Sequence, residues 1–349
     1  MEPREQLLAT LGVTAGVADA MSPGFYGPLL ASMRSDVAEG GPTLRLLEPF
    51  AAEPPTEYYG FRALAGVHRM VLAGHAPELE ARYPSVGGDG DADAAWPHVR
   101  ERFAAHPPEL LAKVRHPLQT NDTSRCGALI GGYLTIARDT GLPLRVRALG
   151  ASAGLNLHFD MYRYEAGGLA HGPTDSKVRF VDHWLQGIPP LDAAMTVADR
   201  RGCDIDPLDP TTAEGRLELE SCVFADDLPR LELLRATLDI AAGMPVEVDQ
   251  ASADEWVAGE LKTLPDGRAT VVSHSIFWIY PAQRIRDGIT AAIDEAGTRS
   301  TRERPLAWLR YEPGEQPTTV ELRLTTWPGG EERLLATGGH HMEPVAWLD

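Results

Sequence analysis

The chain has 349 residues, 43% hydrophobic and 23% charged, and its 50 Asp and Glu against 32 Lys and Arg leave a formal net charge of −18 at pH 7. That sign repels phosphate backbones and anionic membrane surfaces, so no nucleic-acid partner is expected. No apolar run reaches the roughly 18 residues of a membrane helix, and the start MEPREQLLATLG lacks a basic segment followed by an apolar one, so a cytoplasmic protein without a membrane span is expected.

The first ~140 residues carry helical periodicity. In Phe61-Arg-Ala-Leu64-Ala-Gly-Val67-His-Arg-Met70-Val71 the apolar residues recur every three or four positions, as on an amphipathic helix. The stretch 87–95, GGDGDADAA, reads as an acidic loop. A second periodic segment, 125–141, carries Leu129, Tyr133 and Ile136, with Ser124 or Thr123 available as N-cap and Gly141 as its end before Pro143. Residues 1–140 are therefore expected to form a helical cap region, and 141–349 a Rossmann-like domain.

From Leu144 the texture alternates. Strands are expected at 144–149, 246–249, 269–274 and 306–311, with a further chain passage near 203–208 and helices at 228–242 and 282–296. Such alternation predicts an α/β fold with a mostly parallel sheet. The segments 321–327 and 332–337 around Pro328-Gly329-Gly330 predict a C-terminal β-hairpin that adds an antiparallel strand at the sheet edge, the usual ending of a class I methyltransferase fold. Cys126, Cys203 and Cys222 are far apart and form no C-x-x-C pair, which argues against a disulfide framework and a cysteine-rich zinc site.

The most informative stretch is LRVRALGASAGLN, 144–156, an apolar strand running into a glycine turn. Glycine lets a backbone approach a ligand closely, and a helix start offers unpaired N–H groups, so α/β folds place ligands at such junctions. Together with LQTNDTSRCGAL (118–129), HSIFWIY (274–280) and PLAWLRYEP (305–313), this turn resembles the bacterial proteins grouped as domain of unknown function family 2332, over nearly the whole chain. The C-terminal part of that family is similar to S-adenosylmethionine-dependent methyltransferases. The resemblance implies a cofactor-binding turn at Gly150, Ser152, Gly154 and Asn156, although the acid that usually precedes such a turn is replaced by Ala148.

On that reading an acid of CDIDPLDP (Asp204, Asp206 or Asp209, with Asp206 preferred) holds the ribose hydroxyls. Ser252 or Asp254 meets the adenine, unless Ser252 only caps its helix with Glu255 completing a capping box. His274 and Tyr280 are the candidate catalytic residues, His274 as general base because imidazole titrates near neutrality. Trp278, Glu312, Asn121 and Arg125 are candidate substrate contacts, Arg125 for an anionic group and Asn121 alternatively for backbone donors. His340 and His341 are adjacent and accompany no ligand spacing, so no metal is expected.

The expected function is S-adenosylmethionine-dependent methyl transfer to a small molecule. A serine hydrolase is the alternative, because Gly150-Ala-Ser152-Ala-Gly154 matches G-x-S-x-G. Ser152 would then be the nucleophile, Asp254 or Glu312 the orienting acid and His340 or His341 the base. A non-catalytic Rossmann-like binding protein is the third reading.

Overall fold

The computed structural model describes residues 2–22, 24–314, 319–341 and 344–349. In chain order, α1 (Pro3–Met21), α2 (Tyr26–Ala38), α3 (Pro42–Leu47), α4 (Tyr59–Leu72), α5 (Pro77–Glu80), α6 (Ala92–Ala105), α7 (Pro108–Arg115) and α8 (Cys126–Thr140) precede the first strand, β1 (Leu144–Leu149). Among the described residues no helix is long and apolar enough to cross a membrane. The chain forms two compact units, one of residues 1–120 with 212–232 and one of 121–211 with 233–349. The N-terminal helical run continues to residue 140, yet α8 belongs with the sheet.

The first unit is built around α4, whose residues are buried on nearly every side except at Arg69 and Leu72. Gly66 permits this: a Cβ there would meet the Leu110 side chain of α7. The acidic stretch 87–95 is only half a loop. The Asp91 carboxylate accepts from the Ala94 amide at 3.0 Å, so the acid that reads as loop composition starts α6.

The second unit holds a nine-stranded sheet. Its further strands are β5 (Trp184–Gln186), β6 (Val197–Asp204), β7 (Val248–Gln250), β8 (Ala269–Ser275), β9 (Leu306–Pro313), β10 (Val320–Trp327), β11 (Glu331–Gly338) and β12 (Val345–Trp347). The order is β5-β12-β11-β10-β9-β8-β1-β6-β7. The run from β7 to β9 is parallel, while β10 and β11 pair antiparallel. The hairpin falls on the expected segments but does not end the sheet, because β12 and β5 lie outside it. The chain leaves β1 toward β6 and β7, then returns to β8 and β9 on the other side, so strand order reverses at β1.

Side-chain alternation on β1 serves both faces. Leu144 and Val146 join one core with Leu129 and Tyr133 of α8, and Leu149 joins another with α11 (Ala253–Glu260) and α12 (Gln283–Thr298). The helix expected at 228–242 is α10 (Leu228–Gly243). A second sheet, β3-β2-β4, comprises β2 (Arg163–Ala166), β3 (Leu169–His171) and β4 (Arg179–Val181). The sequence reading missed these strands, each too short to establish a period of two. The cysteines are buried and form no disulfide, and burial pushes the Cys203 thiol up to about 12.

The arginines of β1 are the costly part of this core. Arg147 is 4% exposed and lies 2.6 Å from an Asp199 oxygen, and it also bonds Glu260, which takes Arg145 at 2.7 Å. A buried guanidinium without such partners is strongly destabilising. Glu260→Ala is therefore expected to lower unfolding free energy by about 1.5–3 kcal/mol, from charged hydrogen bonds lost to both arginines. Urea denaturation with an unchanged midpoint would show that the pair of arginines needs no counter-charge.

Candidate functional site at the carboxyl edge of the sheet

Five residues beyond β1 contain three left-handed conformations, Gly150 (φ 61°), Ser152 (φ 52°) and Gly154 (φ 72°). Such angles favour glycine and leave Ser152 the uncommon case. Neighbouring side chains fill the space beside both glycines: a Cβ on Gly150 would run into the Phe277 ring, and one on Gly154 would lie 2.7 Å from Val246 and 2.9 Å from Val248. Both glycines therefore have a packing reason, where the sequence reading saw room for a ligand.

The turn's donors are also engaged. The Ala151 amide donates to the Cys203 carbonyl at 2.9 Å and the Gly154 amide to the Ala151 carbonyl at 2.7 Å. The Ser152 amide donates to Asp204 Oδ2 at 2.8 Å, while those of Ala153 and Leu155 both donate to Asn121 Oδ1, at 3.2 and 3.0 Å. Asn121 thus serves backbone donors. The segment that follows is a 3-10 stretch, Leu155–Met161, instead of an α-helix, so the expected bank of open N–H groups at a helix start is not there.

The acid at the end of β6 is Asp204. Its Oδ1 accepts from the Asp206 amide at 3.0 Å, and Asp206 itself is exposed two residues farther on. Of the three candidate acids the one at the strand end is Asp204, with the preferred Asp206 in the loop beyond it. Between them Ile205 is 78% exposed, an apolar side chain beside a polar turn. Gln250 Nε2 donates to the Ile205 carbonyl at 3.2 Å and the Ala251 amide to the Asp204 carbonyl at 2.9 Å, which joins this corner to the start of α11. Ser252 occupies the N-cap position, but its hydroxyl donates to Asp254 instead of capping, and the capping box with Glu255 is not formed.

His274 is held on both nitrogens. Nδ1 donates to Glu312 Oε1 at 2.5 Å, and Nε2 accepts from the Trp308 indole N–H at 3.0 Å. An indole only donates, so Nε2 carries the lone pair and the ring is neutral in this arrangement. With its side chain wholly buried and both nitrogens engaged, His274 offers no open nitrogen in this arrangement, where the sequence reading has it as a general base. Glu312 accepts in addition from the amides of Phe277 and Trp278, at 3.0 and 3.1 Å, which anchors the segment after β8. It is a structural acceptor, and Trp278 stacks on His274 at 5.2 Å. Tyr280 stands 74% exposed beyond this anchored turn.

The sequence reading missed a second histidine–carboxylate pair. His341 Nδ1 lies 2.6 Å from Asp122 Oδ2, with side-chain exposures of 28% and 1%. Asp122 Oδ1 accepts from the Ser124 amide at 3.1 Å and from its hydroxyl at 2.6 Å. Asp122 therefore caps the 3-10 turn Thr123–Arg125 that leads into α8, and neither Thr123 nor Ser124 caps α8 itself. A carboxylate facing Nδ1 selects the tautomer whose basic lone pair is on Nε2. The signal available in sequence was Asp122-Thr-Ser124 itself, an acid two residues before its amide partner. Asn156 Nδ2 donates to the Asp122 carbonyl at 3.3 Å, while its Oδ1 is buried without a partner. Arg125 Nε and Nη1 donate to the carbonyls of His340 and Ser275, each at 3.3 Å.

A family model described as "Uncharacterized protein conserved in bacteria (DUF2332)" matches residues 10–347. The chain belongs to DUF2332. No curated protein and no solved structure matches it. The DUF2332 match takes in all four motifs on which the resemblance rests, the polar run at 118–129, the turn at 150–156, and the segments 274–280 and 305–313.

The two histidines of this DUF2332 chain separate by experiment. His274→Gln is expected to cost about 1–3 kcal/mol, because Trp308 loses its acceptor and Glu312 a donor in a dry site. His341→Gln, at a partly exposed ring, is expected to cost less than half as much. Equal losses in thermal denaturation would contradict the assignment of His274 as the structural member.

Proposed function

We propose that this protein binds S-adenosylmethionine at the carboxyl edge of its sheet and transfers the methyl group to a small molecule. The observation that carries the reading is the reversal of strand order at β1, with a glycine turn at the carboxyl end of β1 and Asp204 closing the neighbouring β6. Open α/β sheets bind ligands at such a reversal.

The residues present suit the adenosine end of the cofactor better than the expected turn contacts. Asp204 presents carboxylate oxygens to ribose hydroxyls, with Ile205 beside it as an exposed apolar surface for a base. Ser252 and Asp254 stand at the same corner. At the other end the partnerless Oδ1 of Asn156 matches an ammonium donor, while the amides of Ala153 and Leu155 remain with Asn121. When bound, the cofactor supplies an electrophilic methyl group on a sulfonium sulfur. His341, oriented by Asp122, would take the proton that the acceptor group releases, at Nε2. The remaining contribution of the chain is to position the acceptor and exclude water.

One observation favours a hydrolase as the second reading. Ser152 sits left-handed in its G-x-S-x-G turn, and Asp122 with His341 supplies an orienting acid and a base. The order is then Asp122, Ser152, His341, with neither Asp254 nor Glu312 as the acid. Against it, Ala153, the residue after the nucleophile and the usual oxyanion donor, gives its amide to Asn121.

Titration calorimetry with S-adenosylhomocysteine decides between them. The expected result is binding to the wild type that weakens roughly tenfold or more in Asp204→Asn, about 1.5 kcal/mol or more from a charged acceptor lost. Ser152→Ala should bind within a few-fold of wild type. No heat at millimolar ligand would remove the methyl-transfer reading, and stoichiometric fluorophosphonate labelling of Ser152 would establish the hydrolase.

A further inference from the structure

Among the described residues Arg125 stands out by the lack of a charged partner. It is 8% exposed, and its two hydrogen bonds go to the carbonyls of His340 and Ser275 at 3.3 Å, long for N–H···O bonds. Among the described residues no carboxylate lies within ion-pair distance of its guanidinium. The other buried arginine of the sheet unit, Arg147, binds Asp199 and Glu260. Arg62, in the helical unit, binds Glu57. Asp122, three residues away, gives its oxygens to Ser124 and His341.

Burying a guanidinium without an anion is costly, and violations of this kind concentrate at functional sites, where a ligand can supply the partner. The position agrees. Arg125 is the N-cap residue of the 15-residue α8, which has no side-chain cap, so the positive end of that helix adds to its field. Its two carbonyl partners belong to the end of β8 and to the residue before His341, which brings the guanidinium to the side of the edge where the base stands.

We propose that Arg125 is the anion-binding residue of this site and that the methyl acceptor carries a carboxylate or phosphate group, held by the guanidinium while His341 takes the proton of the reacting group. The identity of the anion's bearer as acceptor rests on the methyl-transfer reading; anion binding at Arg125 does not. The planar guanidinium fork suits both oxyanions bidentately, whereas an ammonium would meet them as a point charge.

The test uses benzoate and inorganic phosphate as probes at ionic strength held constant with chloride. Binding is followed by calorimetry and thermal shift in wild type, Arg125→Gln and Arg125→Lys. The expected result is binding of at least one probe to the wild type, weakened tenfold or more in Arg125→Gln and less in Arg125→Lys. Without anion, Arg125→Gln should melt at or above the wild-type temperature, since it removes an uncompensated buried charge. S-Adenosylhomocysteine should bind all three proteins within about threefold. Undiminished probe binding in Arg125→Gln, or no probe binding to the wild type, overturns the anion site. A clear loss of melting temperature in ligand-free Arg125→Gln makes the residue a structural strut and overturns it as well. Should that variant fail to fold, undiminished probe binding by Arg125→Lys does the same. A tenfold loss of S-adenosylhomocysteine affinity in either variant places the cofactor's own carboxylate on Arg125 and overturns the acceptor assignment. Probe binding without any S-adenosylhomocysteine binding to wild type removes methyl transfer and leaves the anion site standing.

Discussion

The carboxyl edge of this sheet depends on Asn121 accepting two amide protons, from Ala153 and Leu155, through a single side-chain oxygen. A turn with three left-handed residues in five directs consecutive N–H groups inward, and buried donors left unmet would open it. Asn121 closes it from the side of α8, and Asp204 closes it from β6 through the Ser152 amide. The same two residues that hold the turn also fix what flanks it. Residues 121–125 are tied down at Asn121, which sets where Asp122 and Arg125 begin, and the end of β6 is tied at Asp204, which sets where Ile205 emerges.

The opposite flank of β1 uses the same device with different residues. Glu312, at the end of β9, accepts the amides of Phe277 and Trp278 and the Nδ1 proton of His274, so the segment after β8 is held as firmly as the turn after β1. Phe277 then packs over Gly150, joining the two flanks. Polar groups in this layer fall into two classes. Asn121, Glu312 and His274 are engaged within the protein, whereas Asp204, whose two oxygens each accept one amide and keep a second lone pair, the partnerless Asn156 oxygen and, among the described residues, Arg125 without a counter-ion have capacity to spare. Function is assigned to the second class because satisfied groups in a packed interior have no bond to offer a ligand.

This division was hard to read from sequence for a physical reason. Periodicity reports which face of an element is apolar, and it placed β1, β8, β9, the hairpin strands and α4, α10 and α12 within a few residues. The resemblance led to the right family. Side chain to backbone bonds across 30 residues or more have no period, so Asn121 could be read as a substrate contact as easily as a support for residue 153. His274 looked catalytic because it ends a strand in an aromatic run; its partners are Trp308 and Glu312, 34 and 38 residues downstream, in a segment whose own pattern is that of an ordinary core strand. His340 and His341 read as no metal pair and, in the hydrolase alternative, as interchangeable bases; what singles out His341 is a carboxylate 219 residues upstream. Glycines at 150 and 154 were visible, but whether the space beside them holds a ligand or Phe277 and Val248 depends on packing alone.

The central claim is that the turn after β1 is held from within and that the ligand meets the edge at Asp204, Ile205 and the start of α11. Native-state hydrogen exchange measures both halves, with and without S-adenosylhomocysteine. Slow exchange of the Ala153 and Leu155 amides in the ligand-free protein is expected, faster in Asn121→Ala, with ligand-induced protection appearing at 204–206 and 250–254. Fast exchange of Ala153 and Leu155 in the free protein, slowed only when the ligand is added, would mean that those amides await the ligand and would contradict the account.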